Sequence, residues 1–160
     1  MAAPCLIRSA RVDDLAFMAA IEHAVFTDPW SLAALGATLE GTATQVLVAE
    51  VDGGVAGYVI VQVVVDEAEI QNLAVAPGHR RQGIATALVL RAIERAVAWG
   101  AVRVFLEVRE SNEAARRLYA RLGFDQVARR RGYYRRPRED AIVLMRGIVP
   151  DRVSSIDKRT

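Results

Sequence analysis

The sequence predicts a mixed α/β domain: a central, mostly antiparallel sheet that contains one parallel pair of strands and carries flanking helices. Three observations predict it. β-branched runs at residues 45–50 and 55–65 flank Asp52-Gly53-Gly54, a tight-turn sequence that makes the two runs an antiparallel hairpin. An amphipathic helix over residues 83–99 separates strands at 69–75 and 102–109, and the right-handed crossover of a strand–helix–strand unit makes those strands parallel in one sheet. A chain of 160 residues, 52% apolar, supports one sizeable core and leaves no room for a second domain.

In chain order, residues 5–7 read as a short strand and 12–26 as a helix, with Val12, Leu15, Met18, Ala19 and Val25 at helical spacing and Asp13 and Asp14 in its first turn. Thr27-Asp28-Pro29-Trp30-Ser31 interrupts this pattern, and Ser31 can cap a second helix that runs to about residue 40. Trp30 then sits in a turn, either as a hydrophobic plug or as a substrate contact. After the hairpin, Asp66-Glu67 marks a turn into the strand at 69–75. The helix at 83–99 sets Ile84, Ala85, Leu88, Ala92 and Ala96 on one side and Arg91, Glu94 and Arg95 on another, and Gly100 ends it. Residues 111–122 form a further amphipathic helix, with Ser111 as cap, Ala115, Leu118, Tyr119 and Leu122 as stripe, and Gly123 as stop. Strands are expected at 124–130 and 141–146, joined by a basic loop between Arg129 and Arg138 that holds Tyr133 and Tyr134. The domain is expected to cover residues 1–149, with a flexible polar tail over 150–160.

Composition excludes several classes. One cysteine, Cys5, cannot make an intramolecular disulfide or a cysteine zinc site, and His23 and His79 are too scattered to suggest a metal cluster, so no metal is expected. The first ten residues lack a basic segment leading into a long apolar core, and the apolar run at 55–65 is too short to span a bilayer. These features predict a cytoplasmic protein without a membrane partner. The net charge of +2 hides an asymmetry: residues 1–79 hold ten acidic side chains against Arg8 and Arg11, and residues 80–160 hold nineteen basic against nine acidic. The two halves could therefore favour partners of opposite sign, although folding can interleave them.

The chemistry is concentrated where the strand at 69–75 breaks at Pro77-Gly78 and the chain restarts as a helix after His79, Arg80, Arg81, Gln82 and Gly83. Unpaired N–H groups of a first helical turn, the positive end of the helix dipole and two guanidinium groups make an anion site, and Gly83 lets a phosphate approach the backbone. A diphosphate suits it. No Gly-Lys-Ser/Thr follows, and only one glycine stands where a dinucleotide fingerprint has three, so ATP and NAD are disfavoured.

The spacing Arg80-x-x-Gly83-x-Ala85 resembles the pyrophosphate-binding signature of the GNAT acetyltransferases. More narrowly, FTDPWS (26–31), NLAV (72–75), RRQGIA (80–85), LEVRESN (106–112), LYARLGF (118–124), GYY (132–134) and EDA (139–141) together resemble the RimI-type N-terminal acetyltransferases. The resemblance covers nearly the whole chain. It implies the GNAT fold, acetyl-CoA as co-substrate, and acetylation of the α-amino group of a small-subunit ribosomal protein that begins with alanine. It also implies that Leu73, Ala74 and Val75 bind the pantetheine arm through their backbone. Arg81, Gln82, Gly83, Ile84, Ala85 and Thr86 would cradle the pyrophosphate, and Asn112 would contact the cofactor arm. Glu107 would accept a proton and Tyr119 donate one. Two departures stand out: the second motif glycine is Ala85, which the pattern permits, and Arg135-Arg136-Pro137-Arg138 is unusually basic.

The implied reaction needs such groups, because an α-amino group with a pKa of about 7.7–8.0 is mostly protonated at neutral pH and attacks a thioester only when neutral. Each candidate also has a plainer role. Alternation puts Glu107 on one strand face with Arg103, Phe105 and Arg109, where it could serve only as an ion pair; Glu67 and Glu69 are rival bases; and Tyr119 lies on the buried stripe of its helix. Trp30, Tyr133 and Tyr134 are expected to wall the acceptor entrance. Two alternatives remain: a GNAT acting on lysines or small amines, and a basic module that binds ribosomal or other RNA through the arginines between Arg129 and Arg138.

Overall fold

A computed structural model of the chain describes residues 5–148. It has seven strands, β1 (Cys5–Ser9), β2 (Thr44–Val51), β3 (Gly54–Val64), β4 (Glu67–Val75), β5 (Arg103–Arg109), β6 (Asp125–Arg135) and β7 (Arg138–Gly147). The helices are α1 (Leu15–Val25), α2 (Leu32–Glu40), α3 (Ile84–Ala98) and α4 (Glu113–Arg121). The strands form one sheet in the order β1-β2-β3-β4-β5-β7-β6. Only β4 and β5 pair parallel, as the crossover through α3 requires, and all other pairs are antiparallel. The predicted tail from Pro150 lies outside the described residues.

The sheet is covered on both sides, which is why β2 and β3 read as continuous apolar runs rather than as alternating ones. Leu47, Ala49, Val59 and Val61 face α3, whose Leu88, Val89 and Ala92 are fully buried, while Val46, Val48, Tyr58 and Ile60 face Met18 and Ile21 of α1 and Leu35 of α2. The β2–β3 turn has positive φ at both Asp52 (51°) and Gly53 (78°), the geometry of a two-residue hairpin. Gly57 serves close approach: a Cβ there would lie 2.8 Å from the carbonyl oxygen of Ala74 on β4.

Three sequence expectations are corrected. Residues 12–14 form a 3-10 turn rather than the first turn of α1, so Val12 is exposed, and the Asp14 carboxylate is drawn inward by Arg8 (2.8 and 2.9 Å) and the Arg11 N–H (2.7 Å). The cap of α4 is Asn112 rather than Ser111: its side-chain oxygen accepts the Ala115 N–H at 3.2 Å, the position a capping carbonyl is suited to reach. The segment between Arg129 and Arg138 is mostly strand: β6 and β7 run on as a hairpin past a bulge where Gly132 takes φ 61° and its N–H is held by Asp140 at 2.9 Å.

One irregularity positions everything that follows. β4 and β5 pair only from Glu67↔Arg103 to Ile70↔Leu106. Beyond that, β4 stays with β3 as far as Val75 and β5 stays with β7 as far as Arg109, so the two parallel strands diverge. The divergence starts where Gln71 is inserted as a bulge, between Ile70 opposite Val61 and Asn72 opposite Ile60. A bulge adds twist and bends its strand, and here it leaves the β5-facing backbone of residues 72–75 without a strand partner.

Candidate active site

The loop after β4 is built for an anion. Pro77–His79 forms a 3-10 turn, Arg81 takes φ 63° and Gly83 takes φ 77° as the N-cap of α3. A left-handed arginine is held at a cost of about 1–2 kcal/mol; it turns the chain so that the N–H groups of the first turn of α3, which have no intrahelical partner, face outward. A Cβ on Gly83 would meet no atom within 4 Å, so the space above the helix end is open, and the buried Nδ1 of His79 has no hydrogen-bond partner among the described residues. These features fit the pyrophosphate of acetyl-CoA. Leu73, Ala74 and Val75 line the diverging edge of β4 that leads to this loop. The Leu73 N–H is taken by the Asn72 side chain at 3.1 Å, a local bond that a ligand carbonyl can replace.

Across the gap, Glu107 projects from β5 on the face opposite α3. Its carboxylate receives the Arg130 guanidinium of β6 at 2.6 Å. Arg130 lies over the ring of Tyr133 (4.5 Å), Tyr133 meets Tyr134 edge-on (5.2 Å, 82°), and Arg109 lies over Tyr134 (4.3 Å) while it pairs with Glu139 at 3.3 Å. Glu139 also accepts the Ser111 N–H at 2.5 Å, tying the hairpin to the start of α4. Below Glu107 a cleft of about 360 Å³ is lined by Glu67 and Glu69 of β4, Phe105 and Glu107 of β5, and Arg130. Partial burial pushes the Glu69 carboxyl up, the Glu107 charge adds to that, and Arg130 opposes it.

Tyr119 lies on the other side of the sheet. It is buried in the core under α3 and packs edge-on against Phe124 (5.4 Å, 68°). No protein group hydrogen-bonds its hydroxyl among the described residues, and burial pushes the phenol well above its ordinary value. Asn112 spends its side-chain oxygen on the α4 cap, so its amide nitrogen is the atom left for a ligand.

The loop between α1 and α2 and the β6–β7 hairpin do meet. The Thr27 hydroxyl donates to the Arg136 carbonyl at 2.8 Å, so Trp30 and the Tyr133-Tyr134 pair stand on two walls joined at their tips. Trp30 packs against the core under α1, so it is a plug as well as a wall residue. Sequence reasoning missed Arg130 as the partner of Glu107 and missed Glu22 altogether. Glu22 falls four residues after Met18 on the buried stripe of α1, and that misplaced charge was a readable signal. Among the described residues no three His, Cys, Asp or Glu side chains form a metal-ligating group, and no helix is long and apolar enough to cross a membrane.

Known proteins resemble this chain in sequence and fold. The sequence pattern of the acetyltransferase (GNAT) family matches residues 15–124. An Escherichia coli [ribosomal protein bS18]-alanine N-acetyltransferase is 38% identical over 140 residues, spanning 86% of this chain and 94% of the relative. A Haemophilus ducreyi protein of the same description is 36% identical over 127 residues, spanning 78% of this chain and 87% of its own length. The crystal structure of the ribosomal-protein-S18-alanine N-acetyltransferase from Escherichia coli superposes with a TM-score of 0.85 at 35% identity, covering 92% of this chain and 96% of that one.

Proposed function

This chain belongs to the acetyltransferase (GNAT) family, whose members use acetyl-CoA, and on that premise we propose that it acetylates the N-terminal α-amino group of a ribosomal protein that starts with alanine. The observation that carries the reading is the carboxylate-lined cleft on the face opposite α3, where Glu67, Glu69 and Glu107 meet beside the paired end of β4 and β5, next to the point where the two strands part. With the Tyr133-Tyr134 pair reached through Arg130, it suits an extended cationic chain end. The bS18-alanine substrate of the relatives fits such a cleft.

In this reading acetyl-CoA enters on the α3 side. Its pyrophosphate sits on the backbone of residues 81–86 with the Arg81 side chain beside it, and its pantetheine arm adds to the free edge of β4 at Leu73, Ala74 and Val75, beside the Asn112 amide. The acceptor enters from the other face between Trp30 and the Tyr133-Tyr134 pair. Its ammonium takes the place that Arg130 holds on Glu107, and Glu107 accepts the proton directly or through water. The neutral amine attacks the thioester carbonyl, an N–C bond forms, and the C–S bond breaks. Tyr119 then gives its phenolic proton to the departing CoA sulfur, and the proton shed by the acylated nitrogen passes to solvent, from which the phenolate is reprotonated. General-base help of this kind contributes roughly 10²- to 10⁴-fold, and the rest comes from holding amine and thioester together.

Glu107 and Tyr119 belong to opposite faces of the sheet, which suits a reaction whose proton leaves on the acceptor side and returns on the thiol side. A ribosomal substrate implies a cytoplasmic enzyme. It also gives a use to Arg131, Arg135, Arg136 and Arg138, which have no salt bridge among the described residues and would meet ribosomal RNA. Intact-mass analysis tests the proposal. An Ala-Arg-starting peptide should gain one acetyl group, and an N-terminally blocked peptide with an internal lysine should not. Preference for the blocked peptide would replace this reading with that of a lysine or small-amine acetyltransferase.

A further inference from the structure

The proposed chemistry leaves the most deeply buried charged side chain without a use. Glu22, in α1, is 0% exposed, as deeply buried as any apolar residue of the core. A carboxylate at that depth is costly unless its lone pairs are engaged, and no salt bridge to it occurs among the described residues. Donors from three separate elements converge on it instead: the backbone N–H of Trp30 at 3.0 Å, the hydroxyl of Tyr58 on β3, and the side-chain amide of Asn72 on β4. Asn72 in turn accepts the N–H of Leu73 at 3.1 Å.

The partners lie on both sides of the reaction centre. Trp30 belongs to the acceptor wall, and Leu73 to the strand edge read as the cofactor contact. We infer that Glu22 is a positioning residue that joins the acceptor site to the cofactor site, holding the Trp30 loop against β4 and, through Asn72, setting the Leu73 N–H that the cofactor arm takes up. The inference rests on the functional reading above, which supplies the roles of Trp30 and Leu73.

A coupling follows from the connectivity. Leu73 has a single N–H, so a cofactor carbonyl that takes it releases the Asn72 oxygen. Asn72 then resettles against Glu22, and Glu22 is bonded directly to the Trp30 backbone. Cofactor binding should therefore be felt at Trp30, and by thermodynamic reciprocity acceptor binding should be felt at the cofactor site. A carboxylate kept only for stability would have no such effect.

The chain has two tryptophans, so a Trp99→Phe protein reports Trp30 alone. In that background acetyl-CoA is titrated by calorimetry and by indole emission, and the KM of an Ala-Arg peptide is measured at saturating acetyl-CoA. Acetyl-CoA should shift the Trp30 emission. Adding Asn72→Leu should leave acetyl-CoA binding detectable by calorimetry, abolish the emission shift and raise the peptide KM by about tenfold, within the usual range of coupling between sites, with little change in kcat. Glu22→Gln should do the same where it folds; Asn72→Leu breaks the link at a less buried position and keeps the test available. An Asn72→Leu protein that binds acetyl-CoA and retains both the emission shift and the wild-type peptide KM would overturn the inference. Failure of the Trp99→Phe protein itself to bind acetyl-CoA would overturn the functional reading, and this inference with it.

Discussion

Tyr119→Phe should separate catalysis from folding, because it should lower turnover and leave stability nearly unchanged. The ring is 5% exposed and its edge-on contact with Phe124 at 5.4 Å does not involve the oxygen, so the substitution leaves the packing as it is. The hydroxyl gives up no protein hydrogen bond and is not among the fully buried polar atoms left without a partner, so stability in urea should stay within about 1 kcal/mol of wild type. Turnover should fall. A lost proton donor slows the step by roughly 10²-fold or more, about 3 kcal/mol of barrier at about 1.4 kcal/mol per tenfold. The affinity for acetyl-CoA should hardly change, since the hydroxyl acts on the departing sulfur. Burial also raises the phenol, so the wild-type enzyme should keep its donor protonated through pH 10 and show no alkaline loss there from this residue. Equilibrium unfolding and the kcat of CoA release, measured on the same preparation, decide the matter. Full turnover in Tyr119→Phe would refute the donor role, and loss of several kcal/mol of stability would show that the hydroxyl serves packing.

Other perturbations have equally definite expectations. Gly83→Glu places a Cβ and an anion at a left-handed position above the α3 N-terminus, so it should abolish acetyl-CoA binding by calorimetry in a protein whose circular dichroism is unchanged. Glu69 has a carboxyl raised in the folded state, so its ionisation opposes folding: the cost is nil in acid and appears as pH rises through its titration. Glu69→Gln should therefore raise the melting temperature modestly at pH 7 but not at pH 3, while it lowers kcat/KM for cationic peptides. Asp14 is lowered, chiefly by its Arg8 bond, so it stabilises the fold above its unfolded titration range and loses that contribution as pH falls through the lowered one. Asp14→Asn should cost about 2 kcal/mol in urea at pH 7 and progressively less towards pH 2.

Local chemistry was legible in the sequence, and long-range pairing was not. Asp52-Gly53-Gly54 announced its hairpin because positive φ is a property of the turn itself, and Gly83 announced the start of α3 for the same reason. The parallel pair followed from handedness. The β4–β5 gap did not, because it depends on a single inserted residue, Gln71, whose bulge is defined only against Val61 and Ile60 on the neighbouring strand. The hairpin at β6–β7 was mistaken for a loop because its arginines look like solvated loop residues, yet an edge strand with one open side carries charge readily.

The same limit explains why the charge asymmetry between the chain halves did not map onto two binding faces. Once folded, acidic and basic residues from distant positions meet across strands: Arg103 with Glu67, Arg129 with Glu110 and Asp140, Arg130 with Glu107. In the cleft, Glu67, Glu69 and Glu107 approach one another and carboxylates outnumber the lining guanidinium of Arg130, which is also shared with Tyr133. An exposed ion pair contributes little to stability, so the carboxylates of the cleft are poorly explained as structural. Under the proposed function they form a site for one exchangeable cation, with the guanidinium of Arg130 occupying the position that an incoming chain end would take as an ammonium. On this view the basic hairpin and the acidic cleft form one device: the hairpin supplies the counter-ion that keeps the carboxylates apart in charge, and the substrate's own positive end releases it.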